Sequence, residues 1–242
     1  MQNDTARSAS TGDKINDFVQ RNRNVVLAIL GIMVFLFAAS IIFLSLKDSF
    51  QKKAIEEVEE LNRKYTDLRY ASNGLAVDDL AGDSSAEMEE LLQELNDFAK
   101  NKGRFAGIFA GGFASGKAWW IIAQIHSSRK EWPQAEEAWR RSAKAGARTY
   151  MGPMALFNAA AAAEEQGKLQ EAIELLESSV AHTFEFPSAP RAQFAIGRLN
   201  EELENRPAAL EAYRAVLINW PNLPVWANMA HSRIAALETE LN

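Results

Sequence analysis

The sequence predicts an all-α protein: one N-terminal transmembrane helix, a helical stalk, then an α-solenoid of three helical hairpins with capping helices. Three observations predict it. Residues 25–46 form a run of 22 positions without a charge. Residues 49–70 carry Ala54, Val58, Leu61, Tyr65 and Leu68 at alternating spacings of four and three, a stripe on one face of a helix. Three later segments align without gaps, each starting 37 residues after the one before.

Composition narrows the function before any motif does. The 242 residues are 48% hydrophobic, enough for a real core. A formal charge of −6 and a pI near 5.3 argue against nucleic acid as a partner, which calls for a basic face. Cysteine is absent, which removes disulfides, thiolate metal sites and a cysteine nucleophile together.

Residues 1–24 read as a short polar tail, too poor in apolar side chains to fold. Residues 25–46 follow as a transmembrane helix. At 1.5 Å per residue the run spans roughly 33 Å, against about 30 Å of hydrocarbon. It is longer than the roughly 7–15 residues of a signal-peptide core, and Ala38-Ala39-Ser40 lies inside it instead of following it. Lys14, Arg21 and Arg23 before the span balance Lys47, Lys52 and Lys53 after it, so the positive-inside rule does not orient it. The short tail argues for a cytoplasmic N-terminus and an exported C-terminal domain.

Residues 47–70 are expected as a stalk helix continuing out of the bilayer; a seam for weak self-association along the apolar stripe is the alternative. Residues 71–83 read as a linker broken by Asn73-Gly74 and Gly82-Asp83. Residues 84–115 are expected to hold an N-terminal capping helix and a Gly-rich connection. Ser84 and Glu87 have the spacing of a capping box, and Met88, Leu91, Leu92, Leu95 and Phe98 share one face.

The repeats occupy 116–152, 153–189 and 190–223, and residues 224–242 read as a C-terminal capping helix. Within each repeat a small residue on the first helix precedes a small residue on the second by twelve positions, and a bulky one follows four later. These triplets are Ala123, Ala135 and Trp139; Ala160, Ala172 and Leu176; and Gly197, Ala209 and Tyr213. Antiparallel helices approach closely only where side chains are small, and the bulky residue fills the groove beyond, so all nine are expected in the packing. The pattern resembles the tetratricopeptide repeat family, a helix–turn–helix of about 34 residues with small residues at its eighth and twentieth positions. Trp119 at the fourth position of the first unit and Pro221 closing the third match that family. Leu156 and Gln193 replace the fourth-position Trp in the other units, and the extra residues fall in the turns between repeats.

No reaction is legible. Gly111–Ala118 approaches a phosphate-binding loop but has Ala118 where a hydroxyl must meet magnesium, and no apolar strand precedes it. His126, His182 and His231 lack metal-ligand spacing, and Glu136-Glu137 and Glu164-Glu165 read as solvated pairs. The expectation is therefore no enzyme, no cofactor and no metal.

A surface is the candidate site instead. The resemblance implies that the first helix of each hairpin lines a concave groove through its second, fifth, ninth and twelfth positions. Here these include Lys117, Trp120 and Gln124; Met154 and Phe157; and Arg191, Phe194 and Arg198. An aromatic at all three fifth positions, flanked by cations, suits an extended peptide with apolar and acidic groups. Rings packed against the neighbouring hairpin are the competing reading. The layout resembles the ancillary translocon-subunit type of bacterial inner-membrane protein. It implies a single-pass scaffold with its repeats in the periplasm, gripping other proteins and touching lipid through 25–46. A permanent subunit of a flagellar or secretion assembly is the alternative.

Overall fold

The computed structural model describes residues 18, 20–71, 83–102, 112–182 and 186–239. Among them are nine α-helices and no strand. The chain divides into two units at Ser49 and Phe50. Helix α1, Arg23–Ala71, contributes its apolar part to the first unit and its charged part to the second. In the first unit one helix is long and apolar enough to cross a membrane, with a mean hydropathy of 3.0 over its best window.

The second unit contains the rest of α1 and eight further helices. They are α2 (Asp83–Asp97, followed by a π turn Phe98–Lys102), α3 (Phe113–Ser128), α4 (Trp132–Ala145), α5 (Met151–Glu164), α6 (Leu169–Val180), α7 (Ala189–Glu202), α8 (Arg206–Asn219) and α9 (Pro224–Thr239). From α2 onward each helix packs against the next, with α3 touching α5 and α7 touching α9, so these contacts run between helices adjacent in the chain or two apart. Helix α2 opens at Asp83, which puts Ser84 inside its first turn instead of at the cap. The linker at 72–82 and the Gly-rich connection at 103–111 lie outside the described residues.

The turns between paired helices repeat in backbone detail. Lys130, Gly167 and Glu204 have φ of 58°, 73° and 59°. Each is followed by an N-cap with ψ near 65°: Glu131 at 66°, Lys168 at 61° and Asn205 at 69°. In each turn the amide of that second residue reaches five residues back, to the carbonyl of His126, Ala163 or Asn200. This is a left-handed C-cap, which satisfies the last carbonyls of one helix while starting the next. Lys130 and Glu204 adopt the left-handed region without being glycine, at a cost of roughly 1–2 kcal/mol each.

Small residues set the helix spacing. Ala123, Ala135, Ala172 and Ala209 are fully buried, Ala160 is 1% exposed, and Trp139, Leu176 and Tyr213 are buried beside them. A Cβ on the buried Gly197 would stand 2.5 Å from the Tyr213 ring, so α7 and α8 meet at a distance only glycine permits. Two hydroxyls tie helix pairs together: Ser142 donates to the Gly116 carbonyl at 2.8 Å, and Ser179 donates to the Pro153 carbonyl at 3.0 Å. In the last pair the buried Val216 stands in the corresponding place.

One expectation needs correcting. The stripe read as a self-association seam is already covered: Ala54, Val58, Leu61 and Tyr65 are at most 8% exposed and share one core with Met88, Leu91, Leu95, Phe98, Ala118 and Ile122. Lys64 pairs with Glu94 on α2, and Lys117 on α3 pairs with Glu59. Residues 50–71 therefore pack into the core of the second unit. An apolar stripe states that a face must be buried, and α2 and α3 supply the surface before a second chain is needed.

Candidate protein-interaction surface

The residues expected to line the groove fall on the first helix of each pair. Lys117, Trp120 and Gln124 are on α3, Met154 and Phe157 on α5, and Arg191, Phe194 and Arg198 on α7. All three rings are half-buried, and each leans on its own support. Trp120 meets Trp139 edge-on at 4.6 Å, Phe157 lies 6.2 Å from Phe186, and Phe194 lies 5.0 Å from Tyr213 and 5.9 Å from Trp226. Among the described residues no ring contact links Trp120 to Phe157 or Phe157 to Phe194. Trp120 and Phe194 are thus backed by the bulky members of their packing triplets and Phe157 by Phe186, and each ring remains half-exposed.

The flanking cations are not equivalent. Lys117 donates to Glu59 at 2.5 Å, and Arg198 donates to Glu164 at 2.6 Å with Glu202 at 3.8 Å. Each is committed to a carboxylate of this chain. Arg191 differs: it is exposed, and its guanidinium lies over the Phe157 ring at 5.4 Å. The structure brings together Phe157, Arg191 and the half-buried Met154, and leaves Gln124 half-buried on α3.

Of the two acidic pairs read as solvated, Glu137 and Glu165 are exposed, while Glu136 and Glu164 behave otherwise. Glu164 is the partner of Arg198. Glu136 is only 5% exposed and accepts from Arg140 at 2.8 Å and from Gln166 and Lys168 at 2.9 Å each, while Arg140 also binds Glu171. The Glu136–Arg140 spacing of four was legible on one helix; Gln166 and Lys168 enter only when the next pair stacks on α4. Burial works to raise the Glu136 carboxyl, but the donors outweigh it and hold it below its usual value. A carboxyl lowered in the folded state contributes stability above its unfolded value near 4.5, and that contribution is lost as pH falls through the lower folded value. The melting temperature is therefore expected to drop as pH falls below about 4.5. Glu136→Gln should flatten that dependence while lowering stability at pH 7 by about 1–3 kcal/mol.

At the other end, Tyr213 donates its hydroxyl to Glu201, which Arg233 on α9 also binds, with Nε at 3.0 Å. Burial and the Glu201 charge both push the Tyr213 phenol well above its ordinary value, so it remains a donor. Arg206 donates to the Leu237 carbonyl near the end of α9. His126 binds Glu131 across the first turn, and no group of metal-ligating side chains is present among the described residues. The phosphate-loop-like segment is helical from Phe113, with Gly116 buried and its Lys117 held by Glu59.

The tetratricopeptide repeat family model matches residues 122–184 and 179–224. A "TPR repeat-containing protein" of Treponema pallidum (strain Nichols) is 31% identical over 230 residues, covering 93% of each chain. This chain belongs to the tetratricopeptide repeat family. The family match falls on the helices from α3 to α8, the stretch whose turns repeat. So little of the chain lies outside the similarity to the Treponema protein that residues 25–46 fall within it. Tetratricopeptide repeats in general mediate contacts between proteins and are scaffolds, not catalysts.

Proposed function

We propose that this tetratricopeptide repeat protein is a membrane-anchored scaffold of the bacterial cell envelope. In this reading three 37-residue hairpins stand in the periplasm and hold a segment of a partner protein. The observation that carries the reading is the state of the apolar run. Apart from the half-buried Val26, its large side chains from Val25 to Leu46 are 48–71% exposed, so the described residues offer them little surface, and a bilayer is the solvent they fit. The layout supports a translocon-subunit type of protein, with one span at 25–46 and a helical array behind it.

The partner is expected along Met154, Phe157 and Arg191, with Trp120 and Phe194 extending the apolar face. Lys117 and Arg198 already hold carboxylates, so the charge recognised is a single acidic group at Arg191 beside apolar side chains. This narrows the acidic ligand that three flanking cations had implied.

The absence of cysteine makes the topology directly testable, because one introduced thiol is the only thiol. With Ser10→Cys and Glu165→Cys variants, a membrane-impermeant maleimide is expected to label only the second in intact spheroplasts. The reverse pattern overturns the orientation, and a shortened soluble chain overturns the anchor. For the groove, a photo-crosslinker at Met154 should trap discrete partners, and Phe157→Ala with Arg191→Ala should cut that trapping about tenfold. Trapping unchanged in a folded variant removes the groove from the function. A stoichiometric adduct surviving detergent would mark a permanent subunit of a larger assembly instead.

A further inference from the structure

A second surface lies apart from the aromatic face. Helices α6, α7 and α8 enclose an open groove of about 330 Å³. Its floor includes the buried Ile196 and Ala212, its wall the amides of Gln193 and Asn200, and its rim the exposed carboxylates Glu177 and Glu211. Gln193 spends its amide on the Ala212 carbonyl at 3.3 Å, and Asn200 spends its own on Ile196 at 2.9 Å.

The two carboxylates are among the glutamates that the described residues leave without a cation. Glu59, Glu94, Glu136, Glu164, Glu171 and Glu201 are all ion-paired. Glu177 and Glu211 have no hydrogen-bond or ion-pair partner among the described residues. The preceding helix pair shows what is missing. The turns recur at 130, 167 and 204, so Arg140 corresponds to Glu177, Glu136 to Ile173, Glu171 to Ala208, and Leu175 to Ala212. At the first junction Arg140 is neutralised by Glu136 and Glu171, and Leu175, 5% exposed, packs into the core. At the second, the central charge has changed sign, both of its polar neighbours have become apolar, and a leucine has shrunk to alanine. An internally satisfied junction has become an open one with negative charge and apolar floor.

We infer that this groove docks a basic, amphipathic segment of a partner protein, with lysine or arginine heads at Glu177 and Glu211 and apolar side chains over Ile196 and Ala212. The side chains of such a segment supply both needs at once, since their aliphatic stems cover apolar surface while their charges reach the rim. The site goes beyond the aromatic face, and the two can be occupied by different partners.

The test uses the full chain in detergent and a fluorescein-labelled helical peptide of about four turns with lysines and leucines on one side. A second peptide carries glutamate in place of lysine. Anisotropy should show the lysine peptide binding and the glutamate peptide not, with affinity falling as salt rises. Glu177→Lys with Glu211→Lys should weaken binding about tenfold or more. Ala212→Leu, which restores the side chain of the earlier junction, should weaken it comparably. Glu174→Lys with Glu165→Lys makes the same change of charge outside the groove and should leave binding nearly intact. Equal loss in that control, or no binding of the lysine peptide to the parent chain, overturns the proposal. So does concentration-dependent dimerisation that the groove variants abolish, which would make the occupant a second copy. Phe157→Ala should leave this binding unchanged; a loss there would assign the peptide to the aromatic face.

Discussion

Tyr213→Ala is expected to lower the stability of the array by about 3–5 kcal/mol, the cost of emptying a buried aromatic site. Tyr213 has no exposed surface, supports Phe194 from 5.0 Å, and donates to Glu201, which also holds Arg233 of α9. Its removal therefore loosens α7, α8 and α9 together. Tyr213→Phe keeps the ring and loses only the charge-assisted hydrogen bond, about 1.5–3 kcal/mol. The close approach of Gly197 gives this prediction a sharper form. A methyl at 197 would sit 2.5–2.8 Å from three atoms of the Tyr213 ring, so Gly197→Ala should cost about 1–3 kcal/mol alone. With Tyr213→Ala present that clash is gone, and the two losses should sum to well over the cost of the double variant. Urea unfolding followed by tryptophan fluorescence reads all four proteins. Strict additivity would mean that the glycine is not there for the ring.

Val58→Asp should free residues 50–71 from the array at a cost of about 3–5 kcal/mol, because it places an unpaired carboxylate where no donor is available. Val58 is fully buried, with Ala54, Leu61 and Tyr65 on the same side. The consequence should be local, since contacts run between neighbouring helices and distant pairs need not respond. Hydrogen exchange is expected to accelerate in 50–71 and in α2 while α7–α9 keep their protection. Glu56→Lys, on the exposed side of the same helix, serves as the control and should change little. If Val58→Asp behaves like that control, the segment is a stalk after all. Self-association in the variant alone would show that the stripe becomes a seam once its internal surface is lost.

Much of the array could be read before any coordinates existed. The apolar run, the helical segments and the small–small–bulky triplets are short-range patterns. A helix places residues three and four apart on one face whatever surrounds it, so the inward face of α4 or α8 is written in its own order. The glycine at 197 was legible as a small residue, though its tight fit to Tyr213 was not. The candidate groove was legible only in part. Periodicity put Trp120, Phe157 and Phe194 at equivalent positions, yet it could not say that each would rest on a different support. Nor could it say that, among the described residues, Arg191 alone of the flanking cations would be without a carboxylate.

The sequence by itself determined an apolar helix fit to span a bilayer and a set of helices with one face to bury. It also determined a chain without a thiol. Only the tertiary structure decided how the charges are spent. Glu59 with Lys117, Glu136 with Lys168, Glu164 with Arg198 and Glu201 with Arg233 join residues 58, 32, 34 and 32 positions apart. Such pairs depend on the offset between stacked helices, which no local pattern records. The same stacking buried the stripe at 54–65 inside the chain and left Glu177 and Glu211 facing an open groove. Which face is apolar is a matter of helical period; what meets that face is a matter of register between neighbours, and this exists only once the helices are packed.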